Sequence, residues 1–125
     1  MPALQGLYRP RSVAEAVALL AQDAAAKPLA GGATLVAMLN ARVIEPNALV
    51  SLAGIAEIQG ITTLADGSIR IGAFTRHRDT AACVLPLGAS AVVRDAAAQI
   101  GNATVRNMGT MGGSLSFADP GLDYP

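Results

Sequence analysis

Leu29-Ala30-Gly31-Gly32-Ala33-Thr34-Leu35-Val36 decides how this chain is read. Leu29-Ala30 reads as a short buried strand and Gly31-Gly32 as the turn that ends it. Thr34 to Ala41 reads as a short helix with Leu35, Met38 and Leu39 turned inward. Strand, glycine turn and helix start, in that order, bring several backbone N–H groups within reach of an anion, because glycine has no Cβ to stand in the way. A second stretch, Gly109-Thr110-Met111-Gly112-Gly113-Ser114, repeats the combination of glycines with small hydroxyl residues. One such stretch is as readily an ordinary tight turn. Two in one short chain suggest a diphosphate held from two sides, as in a dinucleotide cofactor. Neither is G-x-G-x-x-G and neither carries a P-loop lysine, so those two phosphate-binding fingerprints are absent.

Working outward toward the N-terminus, residues 1–10 read as extended and Pro10 closes them. Ser12 and Glu15 have the spacing of a capping box, in which serine oxygen and glutamate carboxylate satisfy the first amides of a helix. Val13, Ala16, Val17 and Leu20 then give that helix one apolar face, and Lys27-Pro28 ends it. Ala48 to Leu52 reads as a further strand, so the first part predicts a small α/β unit with parallel strands. Beyond it, Ile58–Leu64 and Ser68–Ala73 read as a hairpin around Asp66-Gly67. Helices are expected over Thr75–Ala82 and Ala89–Ile100, the latter stopped by Gly101. Residues 102–113 read as a loop, Ser114–Ala118 as a strand, and Asp119 to Pro125 as irregular. The boundary expected between the parts gives subdomains 1–55 and 56–125.

The bulk composition removes several function classes. The chain has 125 residues, 52% of them hydrophobic, with Lys+Arg 9 balanced by Asp+Glu 9. That balance argues against a nucleic-acid or membrane-surface role built on broad electrostatics. Aromatic residues make up 3% and tryptophan is absent, which removes the stacking platforms of single-strand binders. Cys83 is the lone cysteine and His77 the lone histidine, so neither an iron–sulfur cluster nor a zinc site can be assembled from this chain. No run reaches membrane-spanning length and no secretory pattern opens the sequence, so a cytoplasmic protein is expected.

Ala30-Gly31-Gly32-x-Thr34-Leu35, followed by Ile100-Gly101-Asn102, Val105-Arg106-Asn107-x-Gly109-Thr110-x-Gly112-Gly113-Ser114-Leu115 and Ala118-Asp119-Pro120, resembles the FAD-binding domain of molybdopterin dehydrogenases. That domain forms the medium, flavin-carrying subunit of carbon monoxide dehydrogenase and related hydroxylases, and has a counterpart in xanthine dehydrogenase. The resemblance runs along nearly the whole chain from Tyr8-Arg9-Pro10-Arg11-Ser12. It implies an α+β FAD-binding domain of the PCMH/vanillyl-alcohol-oxidase kind, with two subdomains and the flavin between them. It also implies that the second subdomain is incomplete here, since relatives continue past the Ala-Asp-Pro motif. By resemblance, Leu29, Ala30, Gly31, Gly32, Ala33, Thr34, Leu35 and Val36 wrap the FAD diphosphate from one side. Thr110, Met111, Gly112, Gly113 and Ser114 wrap it from the other, and Thr75, His77, Asp119 and Asp123 lie near the nucleotide. The implied partners are a large molybdenum-cofactor subunit and a small subunit with [2Fe–2S] clusters, in a hetero-oligomer that passes electrons through FAD to an external acceptor.

The sequence also departs from the family pattern. Ala33 stands where relatives carry a polar side chain, and Arg76 and Arg78 flank His77 where less basic residues are usual. Either arginine reads as solvated surface charge or as a contact to a phosphate or a partner. His77 reads equally as a structural, hydrogen-bonded histidine, Asp119 as a turn residue before Pro120, and Arg106 as loop support. The competing functions are a different flavoenzyme of the same fold and a non-enzymatic domain that folds or oligomerises without FAD.

Overall fold

The computed structural model describes residues 4–86 and 88–121, with Ala89 described by its backbone alone. The chain divides into two compact units, Met1–Glu57 and Ile58–Pro125.

In the first unit, β1 (Gly6–Tyr8), α1 (Val13–Gln22), β2 (Lys27–Leu29), α2 (Leu35–Asn40) and β3 (Ala48–Ser51) follow one another. The three strands form one parallel sheet of order β1-β3-β2, as expected of strands joined through helices. Register sets Gly6 against Ala48 and Lys27 against Leu49. The central strand β3 is buried along Ala48, Leu49 and Val50, the apolar run that a sheet covered on both faces demands. Ile55, wholly buried, closes this core with Ala16 and Pro10.

Ser12 caps α1 by accepting from the Glu15 amide at 3.1 Å. The Glu15 carboxylate reaches back to the Arg11 amide at 2.9 Å, one residue further than a capping box places it. The buried stripe of α1 also differs from the expected one. Ala16 is buried and Leu19 and Leu20 are half-buried, while Val13 and Val17 are exposed. A helix this rich in alanine is apolar on nearly every side, so periodicity defines its inner face poorly. Lys27-Pro28, expected to end the helical unit, belongs to β2 instead. Proline is tolerated there because β2 is an edge strand and one side of its backbone needs no ladder partner.

In the second unit, β4 (Ile61–Thr63) and β5 (Ile69–Ile71) form the expected antiparallel hairpin. Gly67 takes φ +86° at the turn, and the Asp66 carboxylate accepts from the Ser68 amide at 2.9 Å and the Ser68 hydroxyl at 2.6 Å. Helices α3 (His77–Ala81), α4 (Ala91–Gln99), α5 (Ala103–Met108) and α6 (Met111–Phe117) follow, with α3 packed on α4 and α5. Gly101 ends α4 at φ +47°, as a left-handed stop should.

Two expectations fail here. Residues 102–113 are not a loop, and 114–118 are not a strand: α5 and α6 occupy them. The cause is local. Asn102 accepts from the Val105 amide at 3.0 Å and Thr110 from the Gly113 amide at 3.1 Å, so each starts a helix as its N-cap.

Candidate functional site

In the first glycine stretch, the Leu52 amide donates to the Leu29 carbonyl at 2.9 Å, fixing the end of β2 against the chain leaving β3. Gly32 then turns the chain at φ +84°, a conformation that L side chains rarely adopt. A Cβ there would also meet Val36 Cγ2 at 3.2 Å and Leu29 Cδ1 at 3.5 Å. From this turn α2 starts, with the Val36 amide donating to the Gly32 carbonyl at 3.1 Å and Met38 to Thr34 at 3.0 Å. Among the described residues, the amides from Gly31 to Leu35 donate to no protein acceptor. Thr34 occupies the N-cap position, is exposed, and makes no side-chain capping bond. The stretch is therefore a row of uncommitted donors at the carboxyl end of a parallel strand, the edge at which open α/β sheets take ligands. Ala30, Gly31, Gly32 and Ala33 are half-buried, so the row rests on the unit.

The second stretch has the opposite character. The Met111 amide donates to the Thr75 carbonyl at 3.0 Å, Gly112 to the Ala73 carbonyl at 2.7 Å, Gly113 to Thr110 Oγ1 at 3.1 Å and Ser114 to the Thr110 carbonyl at 3.1 Å. These nitrogens donate to protein acceptors, whereas those of the first stretch do not. Its glycines answer to packing. A Cβ on Gly112 would sit 2.7 Å from Ala73 Cβ and 2.8 Å from its carbonyl oxygen. One on Gly109 would sit 2.7 Å from the His77 ring. Real Cβ atoms do not approach neighbours so closely.

Thr75 and His77 hold this arrangement together. Thr75, buried, donates its hydroxyl to the Gly60 carbonyl at 3.1 Å. His77 is 2% exposed, its amide donates to the Gly109 carbonyl at 3.0 Å, and its Nε2 lies 3.2 Å from Ser114 Oγ. Thr75 Oγ1 and His77 Nε2 each lie within hydrogen-bond reach of a protein partner, which eases their burial. Asp119 Oδ1 accepts from the Gly121 amide at 2.9 Å, a local turn contact. Asp123 lies outside the described residues. Arg106 Nη1 donates to the Ile100 carbonyl at 2.9 Å, which makes it a support for the end of α4. Thr75, His77, Thr110, Met111, Gly112, Gly113 and Ser114 are thus brought together within the second unit.

Sequence reasoning missed the Asn102 and Thr110 caps, although each has the cap residue type immediately before a helix. Among the described residues no cluster of His, Cys, Asp or Glu suits a metal ion.

Residues 3–125 match the family model described as the FAD binding domain in molybdopterin dehydrogenase. The chain is 38% identical over 120 residues to the carbon monoxide dehydrogenase medium chain of Hydrogenophaga pseudoflava, covering 94% of this chain and 41% of that one. It is 36% identical over 117 residues to the glyceraldehyde dehydrogenase medium chain of Sulfolobus acidocaldarius, again 94% of this chain and 41% of the relative. Among solved structures, carbon monoxide dehydrogenase from H. pseudoflava lacking the Mo-pyranopterin moiety of its molybdenum cofactor superposes with TM-score 0.88 and 37% identity, over 100% of this chain and 44% of that chain. Quinoline 2-oxidoreductase from Pseudomonas putida 86 gives TM-score 0.80 and 34% identity, over 94% of this chain and 41% of that one. The chain thus spans about two-fifths of the length of these relatives.

Proposed function

Since the chain belongs to the family of FAD-binding domains of molybdopterin dehydrogenases, we propose that it is the FAD-holding, electron-passing part of a molybdenum hydroxylase complex. In that assembly a large subunit with the molybdenum cofactor oxidises the substrate and a small subunit relays electrons through [2Fe–2S] clusters. The FAD site on this chain delivers them to an external acceptor. The observation that carries the reading is the uncommitted amide row from Gly31 to Leu35. A diphosphate is the kind of group such a row accepts, because its oxygens take several N–H donors at once.

When bound, FAD supplies the redox chemistry through its isoalloxazine ring. The residues of this chain bind and orient it. Gly31 to Leu35 hold the diphosphate, with the exposed Thr34 hydroxyl as a further donor and Leu29, Ala30 and Val36 as the apolar flank. Thr110 to Ser114 offer the cofactor a glycine surface, and Thr75 and His77 keep that surface in shape from beneath. Asp119 and Asp123 remain proposed nucleotide contacts. No helix among the described residues is long and apolar enough to cross a membrane, and a cytoplasmic location is part of the same proposal.

The test is flavin uptake by the purified full chain, alone and mixed with its proposed partner subunits. Quenching of flavin fluorescence on titration, with release of FAD on denaturation, is the expected result. Colourless protein that takes up no FAD under either condition refutes the reading.

A further inference from the structure

Arg76 differs from Arg78, Arg94 and Arg106 of the same unit. Arg78 pairs with Asp79 at 3.3 Å, Arg94 with Asp95 at 3.5 Å, and Arg106 donates to the Ile100 and Gly101 carbonyls that follow α4. Arg76 has no carboxylate in ion-pair reach among the described residues, and its Nε is sealed from solvent without a hydrogen-bond partner. Its guanidinium carbon lies 5.9 Å from the centre of the Phe74 ring, and Phe74 is itself buried. A cation over an aromatic face is held in place but not neutralised. Partial burial of an uncompensated guanidinium costs free energy that a bound anion would recover.

The backbone fixes where this charge stands. Thr75 and His77 on either side are buried and hydrogen-bonded, and the extended backbone at Arg76 (φ −72°, ψ 150°) sends its side chain to the opposite face. Arg76 forms an antiparallel bridge with Thr110, and the side chains of such a pair share a face. The guanidinium therefore stands beside the stretch whose own amides are already engaged.

We propose that Arg76 is a phosphate-binding residue, supplying from its side chain the positive charge that the Met111–Ser114 amides cannot give. This rests on the FAD reading above and names the group in the second unit that meets the diphosphate. The planar guanidinium fork suits phosphate oxygens better than a point charge does, and it already lies over the Phe74 ring.

The experiment titrates the full chain and its Arg76→Gln, Arg76→Lys and Arg78→Gln variants with FAD, riboflavin and inorganic pyrophosphate, with thermal unfolding as a check on folding. Arg76→Gln is expected to weaken FAD and pyrophosphate binding by about tenfold or more, the scale of a charge-assisted contact. Riboflavin, which has no phosphate, is expected to bind as before, Arg76→Lys to fall between, and Arg78→Gln to match the parent. FAD binding by the parent with no loss in Arg76→Gln overturns this inference and leaves the FAD reading standing. Arg76-dependent pyrophosphate binding without FAD binding does the reverse. Equal losses for riboflavin and FAD show Arg76 acting through the fold and overturn the inference, and a parent that binds neither FAD nor pyrophosphate overturns both.

Discussion

Gly112→Ala separates two explanations of the second glycine stretch before any ligand is added. If Gly112 exists only to let a ligand approach, alanine in the first turn of α6 should be neutral or favourable in the free protein. Its better helix propensity is worth up to about 1 kcal/mol. The structure predicts the opposite sign. The new methyl would lie 2.7 Å from Ala73 Cβ, 2.8 Å from Ala73 O and 3.1 Å from Ala73 Cα, with backbone that cannot rotate aside. Overpacking by one methyl costs about 1–3 kcal/mol. Relief requires α6 to move off residues 73–75, which stretches the Gly112-to-Ala73 and Met111-to-Thr75 hydrogen bonds of 2.7 and 3.0 Å. Each of those contributes about 1 kcal/mol. Set against the propensity gain, the net loss is about 2–4 kcal/mol, or a fall of roughly 10–30 °C in the unfolding midpoint of a unit this size. Thermal and urea unfolding, followed by circular dichroism without FAD, measure it. A variant as stable as the parent, or more so, refutes the packing account of this glycine and returns the stretch to the ligand.

Three further outcomes follow from other positions. Gly32→Val should abolish FAD uptake while the far-ultraviolet spectrum survives, because valine disfavours φ +84° and crowds Val36 at 3.2 Å; retained affinity by titration argues against the first stretch as the diphosphate cradle. His77→Ala should cost about 2–3 kcal/mol by emptying the space against Gly109 and removing the Ser114 partner, with FAD affinity of the folded protein close to the parent's; denaturant unfolding and titration read the two effects separately. The Ser68 hydroxyl and amide hold the Asp66 carboxyl below its ordinary value of 3.8, so its contribution to the hairpin is fully present above that pH and is lost as pH falls through the lowered value. Asp66→Asn should flatten this acid dependence in the Ser68 amide resonance.

What the sequence made legible divides along physical lines. The parallel first unit could be read because its signals are local and strong: Ser12 before an apolar helix, the Gly31-Gly32 turn, and the apolar run that becomes the buried β3. The hairpin followed from Asp66-Gly67, and the end of α4 from Gly101, since each needs a backbone conformation that favours glycine. The second unit resisted because its order comes from non-local pairing. Thr75 and Thr110 carry the same hydroxyl, yet one is spent on Gly60 and the other on capping α6, a difference visible only once residues 73–77 are laid against 109–112. The same fact divides the meaning of the glycines. Identical residue types leave amides uncommitted in the first stretch, while in the second they admit Ala73 and His77. A glycine pair beside a small hydroxyl residue marks a close approach of backbone to something, and only the tertiary partners decide whether that something is a ligand or the protein itself. Here the partners differ between the units: the Gly31–Leu35 amides meet no protein acceptor, while those of Met111–Ser114 do.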